Sequence, residues 1–233
     1  MIPANRHESG GCVELSIVML TGGCGAAAEG VDTPGGTIVT ERIDLPPPAK
    51  AGGGSLVDAL ARRRSVREYV RTPLDMAEIS LLLWAAQGVT SSAGQRSAPS
   101  AGALYPLEVY LATGRGRYHY DPYRHRLEVL GKEDLRRELS RAARSQQAVE
   151  EAAALFVFAA VYSRTMRKYG DRAERYVKFE AGHAAQNLLL QAVSLGLGAV
   201  PIGAFDDDQV QAILGLPSDH EPLYLVPVGH PAK

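Results

Sequence analysis

The chain has 233 residues, 45% of them hydrophobic and 22% charged, and a formal net charge of −1. That is enough apolar sequence for a sizeable core, and it excludes the global basic footprint of a nucleic-acid-binding protein. No apolar run is long enough to span a bilayer, because charges or glycines interrupt every candidate.

Residues 1–54 carry Gly, Pro and Ala without periodicity and end in Leu45-Pro46-Pro47-Pro48 and Gly52-Gly53-Gly54. They read as a tail and linker, leaving 55–233 as the folded domain. Leu15–Leu20 followed by Thr21-Gly22-Gly23-Cys24 loosely resembles a lipoprotein export signal. Its apolar part is only six residues long, so a cytoplasmic location is the expectation and export through Cys24 the alternative. Cys12 and Cys24 lie far from any histidine pair and make no metal site.

From Ser55 a short helix is expected over Leu56–Arg63, with an extended exit over Ser65–Val70. Asp75 and Glu78 have capping-box spacing, and Ile79, Leu82, Leu83 and Ala86 recur helically until Gly88. Residues 89–98 form a loop and Leu107–Ala112 a strand. Tyr118–Tyr120 and Leu127–Leu130 flank a turn over 121–125, a hairpin. Lys132–Arg144 and Gln146–Ala152 are expected to be helical, and Ala153–Tyr162 a buried strand. Arg172–Leu195 is the longest helix, stopped by Gly196 and Gly198. A strand over Val200–Ala204, a helix over Asp207–Leu214 and a strand over Leu223–Val228 complete the chain. The fold class is α+β, with a central mixed sheet.

Three stretches bear on chemistry. Arg62-Arg63-Arg64-Ser65-Val66-Arg67 offers guanidinium forks suited to a phosphate, although cations at a helix C-terminus also fit a solvated end. Pro99–Pro106 brackets Ser100, Ala101, Gly102 and Ala103, whose small side chains let backbone approach a flat polar ligand. Lys168-Tyr169 and Arg175-Tyr176 precede the long helix, and a lysine beside a tyrosine can move protons, although surface pairs of this kind are common. On the long helix, Glu180, His183 and Asn187 read as a structural hydrogen-bond ladder on one face. No phosphate-binding glycine loop, Rossmann fingerprint or serine elbow is present.

Taken in order, these segments resemble the nitroreductase superfamily. The resemblance runs through Arg63–Arg67, Leu83–Gly88, Arg96 with Pro99–Tyr105, Lys168-Tyr169-Gly170, Arg175-Tyr176, Glu180–His183 with Gln186-Asn187, and Gly196–Gly198. It covers roughly 55–231 and is similar in particular to the SagB/ThcOx-type dehydrogenase branch. It implies a nitroreductase-like fold, a mainly antiparallel sheet flanked by helices around one long core helix, and FMN bound at the interface of a homodimer. Arg63, Arg64, Ser65 and Arg67 would hold the phosphate end. Pro99, Ser100, Ala101 and Gly102 would line the flavin from the facing subunit. Pro201, Ile202 and Gly203 would lie near N5, and Lys233 would supply a basic group at the chain end. Lys168 and Tyr169 would be catalytic, as base and partner. The implied activity is hydride transfer at N5, azoline-to-azole or similar oxidation of a small-molecule or peptide substrate. The alternatives are an NAD(P)H-dependent nitro or quinone reductase and a flavin-free scaffold subunit of a peptide-modifying complex.

Overall fold

The computed structural model describes residues 41–49 and 54–232. In chain order its elements are β1 (Glu41–Asp44), α1 (Leu56–Arg62), β2 (Tyr69–Val70), α2 (Met76–Gln87), β3 (Leu107–Thr113), β4 (Gly116–Asp121), β5 (Arg126–Gly131), α3 (Arg136–Ala142) and α4 (Gln147–Glu151). There follow β6 (Ala154–Ala160), α5 (Tyr162–Tyr169), α6 (Ala173–Ser194), β7 (Gly198–Ala199), α7 (Asp207–Leu214) and β8 (Glu221–Pro231). The strands form one sheet in the order β1-β5-β4-β3-β6-β8-β2, with β7 also paired to β8. Every ladder is antiparallel, and the parallel element among the described residues is the isolated bridge Ser65–Ala199.

β6, with the sequence ALFVFAA, is buried along its whole length between β3 and β8. Such an unbroken apolar run suits a strand covered on both faces. Phe156, Phe158, Leu111 and Val226 face α2 and α6, where Leu82, Leu83, Leu188 and Leu189 meet them. Leu155, Val157, Tyr110 and Leu225 face the opposite side and pack on α3, α4 and α7 through Leu139, Val149 and Val210. The result is three layers, helices on both sides of the sheet. The α+β class, the mainly antiparallel sheet and the long helix agree with expectation.

Four local differences have physical causes. Residues 41–44, read as tail, pair with β5 as the edge strand, and Leu45 is buried in the core. The helix expected from Lys132 begins only at Arg136, because Asp134 turns back to accept from the Arg136 backbone N–H and side chain. The strand expected over Val200–Ala204 shrinks to Gly198–Ala199 plus a bridge at Ile202, since Pro201 has no N–H to donate. Finally, Tyr162–Tyr169 is a helix that the sequence reading did not anticipate.

Candidate functional site

The arginine segment leaves α1 at Arg63 and runs alongside β7. Val66 N–H donates to Ala199 O at 3.0 Å. Gly198 permits this approach, since a Cβ there would lie 2.6 Å from the Val66 side chain. Tyr69 then anchors the segment, its hydroxyl donating to Val66 O at 2.6 Å. Ile202 is pinned to β8 by reciprocal backbone hydrogen bonds with Leu225 of 2.8 and 3.0 Å. Ser65 is thus held at Ala199, two residues before Pro201-Ile202-Gly203, just after the C-terminal end of α6. Arg64 is exposed and donates to Ala61 O and Arg63 O. Arg63, Arg64 and Arg67 have no carboxylate partner among the described residues, whereas neighbouring Arg62 is paired to Asp58 at 2.6 Å. Guanidinium groups without carboxylate partners are of the residue type that pairs with dianions.

The other half of the candidate site gathers near the N-terminal third of α6. Loop 99–106 carries a single turn of 3-10 helix at Ala101–Ala103, with positive φ at Gly102 (64°), Ala103 (53°) and Tyr105 (46°). Positive φ at two residues that carry a Cβ is strained, and strain of this kind persists only where neighbours over-determine it. Those neighbours are present. Tyr105 N–H donates to Ser100 Oγ at 2.9 Å, Arg96 N–H to Tyr105 Oη at 3.1 Å, and Arg164 Nη1 to Tyr105 O at 3.0 Å. The Arg96 guanidinium also lies 4.6 Å from the centre of the Tyr105 ring.

α5 delivers Lys168 and Tyr169 to this loop. A Cβ at Gly102 would sit 2.9 Å from Tyr169 Oη and 3.0 Å from Lys168 Nζ, so both side-chain tips rest on the glycine. Tyr169 stacks edge-on against Tyr176 at 5.0 Å. Lys168 is exposed in the single chain.

Two ionisable groups flank the loop. Glu108 at the start of β3 pairs with Arg164 and with His119 Nε2 at 2.7 Å, while His119 Nδ1 faces Glu128 at 3.4 Å. Burial pushes the Glu108 carboxyl up, but His119 and Arg164 outweigh it and hold its pKa at about 2. His119 is likewise disfavoured as a cation by burial, yet the two carboxylates raise its pKa above the ordinary value. Glu180 of α6 is only 2% exposed and has no ion pair among the described residues. Burial pushes its pKa up to about 7, against smaller downward pulls from Ser100, Arg96 and Gln87.

The comparisons with known proteins settle the family. A description of the Nitroreductase family matches residues 60–230. The chain belongs to the nitroreductase family. A Methanocaldococcus jannaschii protein that carries the nitroreductase name is 46% identical over 180 residues, 75% of this chain and 90% of its own length. The FMN reductase (NADPH) of Bacillus subtilis is 27% identical over 191 residues, 76% of this chain and 66% of its own. A solved nitroreductase-type structure from Ralstonia eutropha superposes with a TM-score of 0.74 at 31% identity, covering 90% of this chain and 96% of that one. The chain is thus a nitroreductase-family oxidoreductase by descent, with flavin enzymes among its relatives.

Within this nitroreductase fold the structure sorts the residues named from sequence into two groups. Ser65 pairs with Ala199, two residues before Pro201, and Gly102 lies against Lys168 and Tyr169. Lys233 falls outside the described residues. The ladder read on α6 divides: Glu180 and Asn187 turn inward toward loop 96–100, Asn187 Nδ2 donating to Ser97 O at 3.3 Å, while His183 faces outward. Sequence reasoning passed over Arg164, Glu108 and His119, whose partners are distant in the chain. The burial of Glu180 had a signal, since it occupies the apolar register of Val177, Ala181 and Ala184.

Proposed function

We propose that this chain is an FMN-dependent oxidoreductase of the SagB type, dehydrogenating a carbon–heteroatom ring such as an azoline. The observation that carries this reading is the contact of Lys168 and Tyr169 with the Gly102 turn. It puts a candidate base on the one loop whose small residues suit a flat cofactor. The residues present fit FMN, because three arginines without carboxylate partners are a donor set for a phosphate dianion.

When bound, FMN supplies a two-electron acceptor that takes hydride at N5. The chain's own residues do the rest. Arg63, Arg64 and Arg67 hold the phosphate, with Ser65 beside them. Ser100 and Gly102 would offer the cofactor a hydroxyl and close backbone, and Ile202 and Gly203 would lie on the side of the reacting atom. Lys168 Nζ receives the proton that leaves the substrate as hydride departs, and Tyr169 Oη orients the amine. Arg175 offers a guanidinium fork suited to anionic substrate groups rather than to the role of base.

A homodimer is part of this reading, and the separation of the two halves supports it. Ser65 is bridged to Ala199, beyond the C-terminal end of α6 at Ser194, and Ser194 lies fourteen residues, about 21 Å along the helix axis, from Glu180. One flavin cannot span that gap within a chain, but antiparallel pairing of two α6 helices brings the arginines of one subunit to loop 99–102 of the other. The exposed Leu56, Val57 and Leu60 of α1 and Phe179 of α6 supply apolar surface for such pairing.

A second reading, reduction of nitro groups or quinones with NAD(P)H, is favoured by the similarity to the FMN reductase (NADPH) of Bacillus subtilis. The deciding experiment begins with purification. The protein should carry FMN, and Arg67→Ala should weaken it about ten- to a hundredfold, the worth of one charge-assisted contact. Full retention of FMN by Arg67→Ala rejects the phosphate assignment, and a flavin-free wild-type protein leaves the scaffold alternative. Anaerobic mixing with an azoline peptide or with NADPH then separates the two oxidoreductase readings by which one bleaches the flavin.

A further inference from the structure

Glu108 and His119 belong to a charged cluster that the proposed chemistry does not use, yet the cluster ends on the loop that the chemistry needs. Glu108 lies near the start of β3 with its side chain 13% exposed, and its two carboxylate oxygens have separate partners. Oε2 meets His119 Nε2 from β4 at 2.7 Å, and Oε1 accepts from Arg164 Nη2. The other arm of that guanidinium, Nη1, donates to Tyr105 O at 3.0 Å. A planar guanidinium presents its N–H groups in a fixed fork, so a carboxylate that holds one arm also aims the other.

Tyr105 is a costly place for the backbone. Its φ is +46°, and Ala103 two residues earlier has a φ of +53°. Both residues carry a Cβ, so the turn keeps this shape only while its neighbours hold it. Arg164 is one of those neighbours, and it lies on α5 one turn before Lys168. The chain entering α5 is also joined to the end of the loop, Val161 N–H donating to Pro106 O at 2.8 Å. One guanidinium therefore serves both sides of the contact between Lys168 and Gly102. It belongs to the helix that carries Lys168, and it holds the turn that contains Gly102.

We infer that Glu108 is a positioning residue of the site: by fixing the Arg164 fork it holds the 101–105 turn against α5, so that Lys168 and Tyr169 stay on Gly102. The inference rests on the reading of loop 99–102 and Lys168 as part of the active site. His119 completes the arrangement by occupying the second carboxylate oxygen, which orients the first toward Arg164. The action of Glu108 on the turn runs through Arg164.

Hydrogen exchange of the full chain, read by mass spectrometry on peptides covering 100–106, tests this without any turnover. It follows the amides of Ala103 and Tyr105, which donate to Ser100 O and Ser100 Oγ. Arg164→Lys keeps a cation for Glu108 but has no fork to reach Tyr105 O at the same time. It should speed exchange of the segment about tenfold, the worth of one charge-assisted hydrogen bond. Glu108→Gln, which keeps the shape and loses the charge, should also speed it. The double variant should exchange no faster than Arg164→Lys alone, because the two residues act in series. In the flavin-loaded protein both single variants should slow substrate-dependent flavin reduction and leave KM near that of wild type. Unchanged exchange in Arg164→Lys, additive effects in the double variant, or a kinetic effect confined to KM overturns the inference. If Glu108→Gln does not fold, the Arg164→Lys comparison decides alone. A flavin-free protein would sink the proposed function, yet the exchange results would still judge Glu108.

Discussion

Lys168 and Tyr169 meet at a position where only glycine has room, and this contact helps to join α5 to loop 99–106. The same face of α5 carries Arg164 one turn earlier, which grips Tyr105 O and Glu108. Two cations four residues apart therefore dock on one loop, Arg164 on Tyr105 O and Lys168 on Gly102. Removal of Lys168 should leave the fold intact, because the side chain is exposed and contributes no buried ion pair among the described residues. Lys168→Ala is expected to keep FMN and dimer while slowing substrate-dependent flavin reduction about a hundred- to ten-thousandfold, the range of a positioned general base. Stopped-flow absorbance gives the measurement, and an unchanged reduction rate withdraws the role.

At the scale of elements, β3, β4 and β5 form a meander whose polar face carries Glu108, His119 and Glu128, and α5 is tied to it through Arg164. This brace has a pH window. His119, raised above its ordinary 6.5, stabilises the fold while protonated, and that contribution is lost as pH rises through its folded value. Glu108, held at about 2 against an ordinary 4.5, contributes above the latter and is lost as pH falls toward the former. The brace is therefore strongest between about pH 4.5 and 6.5. His119→Gln should lower Tm inside that window and flatten the decline above it, as read by calorimetry across pH. A variant whose Tm falls with pH as steeply as wild type would show that His119 is not the group responsible.

For the whole molecule, the two half-sites at opposite ends of α6 make assembly part of the proposed chemistry. The outward face of α6 carries Phe179, Gly182 and His183, and a Cβ at Gly182 would meet nothing within 4 Å. A side chain there is harmless to the isolated fold but obstructs a helix packed against it. Gly182→Glu should thus give a folded monomer by light scattering and circular dichroism, with FMN affinity reduced together with dimerisation. A dimer that survives this substitution, or a wild-type monomer that holds flavin, would place the interface elsewhere.

Local sequence determined those features whose physics is local. The capping box of α2 is present as read, Asp75 accepting from Glu78 N–H and Glu78 from Asp75 N–H, both at 2.8 Å. Helix α7 and the hairpin around 121–125 likewise follow from cap and turn residues close in the chain. The arginines, the small-residue loop and the Lys-Tyr pair were legible as residue types. Which of them meet was not, because Ser65 beside Ala199 and Lys168 beside Gly102 are contacts across 134 and 66 residues. Residues 41–45 read as linker because a four-residue edge strand has too little alternation to declare itself; pairing with β5 makes it a strand. Glu180 shows the division most clearly. Its place in the apolar register of α6 is written in the sequence, but its near-neutral acidity exists only because tertiary packing removed water, against the smaller downward pulls of Ser100, Arg96 and Gln87.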